Sequence, residues 1–121
     1  MLKQRLALTV DAAGAATVYS LPFSGVVAGI YFEIGTLTSG AVDITITAGE
    51  ENAPILALTN LSASAWYYPK VGTCSVTGVA ALYAAGGAAV LGHIPVDGQF
   101  KIVVADGGNK TTGHITFYVK G

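Results

Sequence analysis

Charge is what this chain has least of. Lys and Arg number six and Asp and Glu seven, together 11% of 121 residues, against 52% hydrophobic residues. A small soluble domain carries roughly 25–35% charged residues on its surface. A chain this poor in charge is therefore expected to have much of its outer face covered by other protein copies. Its basic residues form no run or stripe and its formal net charge is −1, so nothing is concentrated enough to neutralise a phosphate backbone, which excludes nucleic acid as an expected direct partner. Cysteine is nearly missing as well. Cys74 stands alone, and the disulfide framework that staples many small secreted domains is ruled out.

Long uninterrupted apolar runs are also lacking. The N-terminus has two positive charges, Lys3 and Arg5, but Asp11 interrupts it before an apolar core of sufficient length develops, so no signal peptide is expected. The stretches 12–32 and 71–96 contain no Asp, Glu, Lys or Arg, and by length either would admit a membrane span. Their punctuation argues against it: Pro22 with Gly14, Gly25 and Gly29 in the first, Pro95 with Gly86 and Gly87 in the second, suit strands and turns better than a membrane helix. Synthesis in the cytoplasm, with no membrane partner, is the expectation.

Catalytic signatures are absent too. There is no Gly-x-Ser-x-Gly elbow and no phosphate loop ending in Gly-Lys-Ser/Thr. The histidines, His93 and His114, have no ligand partners nearby in sequence, and a zinc site needs three or four. Glu50 and Glu51 follow Gly49 and precede Asn52, which makes them a solvated loop tip more simply than a calcium site. Asn60-Leu61-Ser62 and Asn109-Lys110-Thr111 match the glycosylation acceptor pattern, but without a secretion signal they read as accidental. No enzyme, metal or cofactor is expected.

What is present is alternation with the period of a strand. Val42, Ile44 and Ile46 face one way and Asp43, Thr45 and Thr47 the other; Ile30, Phe32 and Ile34 alternate with Tyr31 and Glu33. Gly35 to Gly40 between these segments is rich in turn formers, which predicts that the two strands pair as a hairpin. Phe100, Ile102 and Val104, then Asp106-Gly107-Gly108-Asn109-Lys110, then Ile115, Phe117 and Val119 predict a second hairpin, with Lys101, Thr116, Tyr118 and Lys120 on the opposite face. Leu6, Leu8 and Val10, followed by Asp11 to Gly14 and a strand near Thr17 to Leu21, predict a third.

In the middle, Pro54 to Thr59 reads as a strand and Ala65 to Lys70 as another, with Pro69 marking an edge or a strand end. From Val71 to Gly92 the strand signal weakens, because the Ala-rich run from Val79 to Ala89 fits a strand, a short helix or a loop. About eight strands in a single domain, 1–121, predict an all-β fold: a two-sheet antiparallel β-sandwich, with the jelly roll as one form of it. Trp66-Tyr67-Tyr68 is the densest aromatic feature; Trp66 and Tyr68 share one face and Tyr67 takes the other, and core packing, a subunit contact and ligand binding all remain open for it.

The ordered segments Gly29 to Ile34, Ala41 to Thr47, Ile55 to Asn60, Trp66 to Lys70 and His93 to Val104, closed by a Gly-rich turn and one more strand, carry a resemblance. From about Gly25 onward the chain resembles small β-rich virion proteins of tailed bacteriophages, especially the cement or decoration proteins that stabilise the capsid. The shared features are strand patterns, not catalytic motifs. The resemblance implies a protein on the outer capsid surface of the virion, made in the host bacterial cytoplasm. Its partners would be the major capsid protein, whose neighbouring subunits it bridges, and itself as a dimer or trimer. Contact candidates are Leu2 and Leu6 in the N-terminal segment, Trp66, Tyr67 and Tyr68, and Leu82, Tyr83 and Leu91 in the stretch Val79 to Leu91, whose sequence pattern is ambiguous; none belongs to a family motif. A head-tail connector, tail or baseplate subunit is the alternative within the virion. A carbohydrate-binding β-sandwich using Trp66 and Tyr68 as a stacking platform is the alternative from another class.

Overall fold

Alternating apolar and polar residues leave each strand with one face to bury, and this chain buries those faces in antiparallel sheets that include a curled half-barrel. The computed structural model describes residues 1–72, 76–80 and 91–121, is 63% strand, and shows no helix among the described residues. In chain order the strands are β1 (Leu2–Thr9), β2 (Ala16–Tyr19), β3 (Phe23–Glu33), β4 (Val42–Ala48), β5 (Ala53–Leu61), β6 (Ala65–Tyr67), β7 (Lys70–Gly72), β8 (Leu91–His93), β9 (Pro95–Gly98), β10 (Phe100–Ala105) and β11 (Thr112–Lys120). These are more than the eight or so expected because the stretches around Trp66 and Pro95 break into short strands of three or four residues.

One sheet runs β1-β11-β3-β6, with β9 also on β3, and a second runs β2-β10-β4-β5; β7 and β8 form a separate two-stranded ribbon. Val26 pairs with Lys120 of β11 and with Pro95 of β9, so β9 and β6 occupy successive stretches of the β3 edge that β11 leaves free. A single hydrophobic cluster draws on both large sheets. At its centre Phe100 of β10 stacks on Phe117 of β11, ring centroids 4.2 Å apart and 8° from parallel, and Phe23 of β3 closes on Phe100 at 5.7 Å. Val42, Ile44 and Ile46 are fully buried, as their alternation requires, and so are Ile30 and Phe32.

All three expected hairpins are corrected. β3 and β4, β10 and β11, and β1 and β2 do not pair; each couple lies in different sheets. The connections are corners that carry the chain from one sheet to the other, and they lock together. Gly107 N–H donates to the Gly14 carbonyl at 2.9 Å, Thr38 N–H to the Gly107 carbonyl at 2.9 Å, and Lys110 N–H to the Asp11 carbonyl at 3.0 Å. Asp11 Oδ1 accepts from the N–H groups of Ala13 and Ala15, holding the first corner in an Asx-type turn. Leu37 of the second corner is buried at 4% exposure, which fixes that loop to the core. A two-residue turn would have folded each strand back on its neighbour; these longer loops contribute a buried side chain and loop-to-loop bonds that a hairpin tip cannot make. β4 and β5 do pair as a hairpin, closed by residues 49–52 with Gly49 at φ 73° and Asn52 at φ 52°.

Candidate interaction face

The five-stranded sheet turns its second face outward, and strand register assembles an aromatic cluster there. Tyr31 of β3 sits opposite Trp66 of β6, and Gly29 sits opposite Tyr118 of β11, which in turn faces Lys3 of β1. Trp66 therefore lies among three tyrosines: Tyr31 at 4.8 Å, Tyr118 at 5.3 Å and Tyr68 at 6.1 Å between ring centroids, the last within 6° of parallel. Lys3 Nζ lies 5.6 Å from the centre of the Tyr118 ring, within cation–π range.

Local sequence explains how rings of this size fit. Between Tyr118 and Val119 the β11 register jumps from Gly29 to Val27, so Ala28 is the extra residue of a β-bulge. Gly29 beside it has no side chain, and a Cβ there would stand 3.3 Å from Tyr68 Cε1, so the glycine forms the floor beneath the Tyr68 ring. The result is an open depression of about 240 Å³ lined by Met1, Ala28, Gly29, Trp66, Tyr68 and Tyr118. Trp66 remains 48% exposed, Tyr68 64% and Met1 78%. The apolar content of this surface is far above that of a singly exposed residue, and such patches mark contact sites.

Further along the same face Arg5 and Glu33 form a bidentate pair, Nε to Oε1 at 3.1 Å and NH2 to Oε2 at 2.9 Å. The hydrogen bonds from Arg5, more than charge alone, hold the Glu33 carboxyl below its ordinary range, and the same bonds push the Arg5 guanidinium further up. With side chains 52% and 32% exposed, the pair is a solvated fastener on the sheet surface.

Trp66, Tyr68 and Tyr67 are placed as alternation requires: the first two on the outer face, Tyr67 packed against the core. Leu2 and Leu91 are exposed, at 52% and 54%, while Leu6 is partly buried against the core. Leu82 and Tyr83 lie outside the described residues. Sequence reasoning placed Tyr118 and Tyr31 on outward faces without joining them to Trp66, because only the register of β3 with β6 and β11 brings them together. Gly29 counts in the sequence only as strand-and-turn punctuation, and Met1 carries no signal of a surface role.

The second notable surface is a polar notch of about 610 Å³ between the β4–β5 turn and the start of β10, lined by Glu50, Glu51, Asp97, Gln99 and Lys101 among others. Its carboxylates are exposed, and among the described residues no three His, Cys, Asp or Glu side chains are grouped to hold a metal ion. His93 is exposed on β8 and His114 lies on β11 opposite Glu33 and Ala7, so the two histidines are in different sheets. Compared with models of known protein families and with curated proteins, the chain matches none of them.

Proposed function

We propose that the chain is a non-enzymatic structural subunit of a phage virion, a decoration protein that binds the outer head shell through the aromatic face and bridges major capsid subunits. The observation that carries this reading is the cluster of exposed Trp66, Tyr68 and Met1 around the half-buried Tyr118, on a chain with little charge to keep such a surface free. Aromatic side chains supply large contact area at small entropic cost and dominate the centres of protein interfaces. The rest of the exposed apolar set, including Leu2, Tyr19, Leu21, Val71 and Leu91, is consistent with contacts on more than one side.

The reading takes the two large sheets as the layers of a sandwich wound as a jelly roll. Its support is the path of the chain, which passes between the two large sheets at β1–β2, β2–β3, β3–β4, β5–β6, β9–β10 and β10–β11 and stays within one of them at β4–β5. Jelly rolls serve viral coats and lectins alike, so the choice between those two rests on the site. A sugar platform needs hydrogen-bonding side chains beside its rings. The depression here is lined by Met1, Ala28, Gly29 and three aromatic residues, with no Asp, Asn, Glu, Gln or His, which favours an apolar protein contact over a saccharide.

The test is a cryo-electron microscopy reconstruction of the phage particles that carry this chain. Density over the junctions of shell subunits, with Trp66 and Tyr68 at the contact, is the expected result. Density restricted to the neck or tail assigns the chain to a connector or tail role instead. Absence from the particles, together with glycan-array binding that Trp66→Ala abolishes, replaces the proposal with a carbohydrate-binding function.

A further inference from the structure

Every open sheet has edges, and an uncovered edge offers a row of unpaired N–H and C=O groups to any passing strand. Most edges here are blunted. β2 and β9 are four residues long, β9 beginning with Pro95, and β6 is three. β5 is longer, but it carries Pro54, positive φ at Asn60 and two irregularities in its register with β4. β1 has none of these devices, and among the described residues no strand pairs with its outer edge. It ends the five-stranded sheet, spans eight residues without proline or bulge, and pairs with β11 in unbroken register from Leu2–Val119 to Thr9–Thr112.

The phase of that ladder says which groups are free. Val10 N–H donates to the Thr111 carbonyl directly opposite. Antiparallel pairs alternate between bonded and non-bonded, so Leu8, Leu6, Gln4 and Leu2 turn their backbone groups toward β11. Lys3, Arg5, Ala7 and Thr9 turn theirs away, to the open edge. Beside this edge stands Leu21, 64% exposed, its N–H donating to Gln4 Oε1 at 2.9 Å.

We infer that β1 pairs antiparallel with β1 of a second copy of this chain, making one continuous sheet across a two-fold axis at Leu6. Charge selects both the partner and the register. With Leu6 on the axis, Lys3 lies opposite Thr9 and Arg5 opposite Ala7 of the second copy, so no like charges meet. Sliding one step toward the N-terminus sets Arg5 against Arg5, and a further step sets Lys3 against Arg5; cross-strand like charges are destabilising. Sliding the other way carries Lys3 past the end of the partner strand and discards its bonds. On the inner face the chosen register brings the two Leu6 side chains together and Gln4 against Leu8, so the partly buried Leu6 is closed off from water. This inference does not rest on the aromatic face: the pairing uses backbone groups at the β1 edge, whereas the rings stand on the outer face of the sheet, with Met1 and Lys3 at their margin.

The decisive experiment is sedimentation equilibrium on the full chain and on Ala7→Pro. Proline removes an N–H that the fold does not use, at an edge position where proline is tolerated, but one that the pairing requires. The full chain is expected at twice 12.2 kDa and Ala7→Pro at 12.2 kDa with its circular dichroism spectrum unchanged. Should Ala7→Pro fail to fold, crosslinking decides alone. In a Cys74→Ser background, Leu6→Cys is expected to form a disulfide dimer on mild oxidation, because a non-bonded pair on the axis brings Cβ atoms to about 4.5–5.5 Å. Gln4→Cys, which faces Leu8, is expected not to crosslink. A monomeric full chain at millimolar concentration, a trimer, a dimer that survives Ala7→Pro, or equal crosslinking at both positions overturns the inference.

Discussion

Replacing Trp66 with Ala probes the aromatic face most directly, because the free protein and the bound one register different parts of the loss. Trp66 is 48% exposed, so about half of a side chain that buries roughly 150–250 Å² when fully packed is covered within the free subunit. About 100 Å² at ~25 cal/mol per Å² gives an upper bound of ~2.5 kcal/mol for the burial lost. The three ring contacts with Tyr31, Tyr118 and Tyr68 draw on that same area, and relaxation of the exposed Tyr68 ring recovers a part of it. The expected destabilisation is therefore ~2 kcal/mol, a drop in Tm of about 8 °C for a domain of this size. The remaining exposed half acts only when a partner covers it. If that face is the contact, truncation costs about a further 2 kcal/mol in binding, or ~30-fold in affinity for particles. Trp66→Phe, which keeps a ring among the tyrosines, is expected to lose less than half of each. Thermal melting by circular dichroism reads the first effect and co-sedimentation with undecorated particles the second. A Tm within 1 °C of the parent together with unchanged particle binding refutes the reasoning for both roles.

Gly113→Ala is expected to cost ~2–3 kcal/mol, about 10 °C in Tm, because the added Cβ would lie 2.5 Å from Leu37 Cδ1 and 2.7 Å from the Glu33 carbonyl oxygen; a melt unchanged from the parent would show that the second corner is not held against β11. The Arg5–Glu33 pair predicts a pH signature. Folding lowers the Glu33 pKa, so its contribution is present above the unfolded-state value and disappears as the pH falls through the folded one. Glu33→Gln is thus expected to lower Tm slightly at neutral pH, with parent and variant converging in acid, and a gap that widens on acidification contradicts the assignment.

Strands were legible in this chain because burying one face is a local demand. Val42, Ile44 and Ile46 need no knowledge of their neighbours to point inward. Pairing was not legible, and the reason lies in the corners. Asp106-Gly107-Gly108 has the composition of a tight reversal, and positive φ at Asp106, Gly108 and Lys110 confirms that the backbone uses that freedom. Yet the same freedom serves a loop that climbs from one sheet to the other. What distinguishes the two is long-range: Gly107 meets Gly14, and Leu37 packs beside both Gly107 and Gly113. A partner nearly a hundred residues away leaves no mark on the turn itself. The β4–β5 hairpin reads in sequence only as a polar loop tip, since Glu50 and Glu51 advertise solvent more strongly than Gly49 and Asn52 advertise a turn.

The aromatic face shows the same division between local and distant information, and it bears on why the surface exists. Tyr31, Trp66 and Tyr118 come from three strands separated widely in sequence, and each alone is an ordinary outward residue. Their meeting requires a bulge at Ala28 and a bare backbone at Gly29 to seat Tyr68. Neither feature helps the core, which is on the other side of the sheet, and Gly in a strand interior weakens it by roughly 0.5–1 kcal/mol relative to Ala. A sheet that served only to bury its inner face would gain by a regular strand with an alanine or a polar β-branched residue at this position. The chain instead gives up strand stability to hold a group of rings open to solvent, which is what the proposed contact through this face requires.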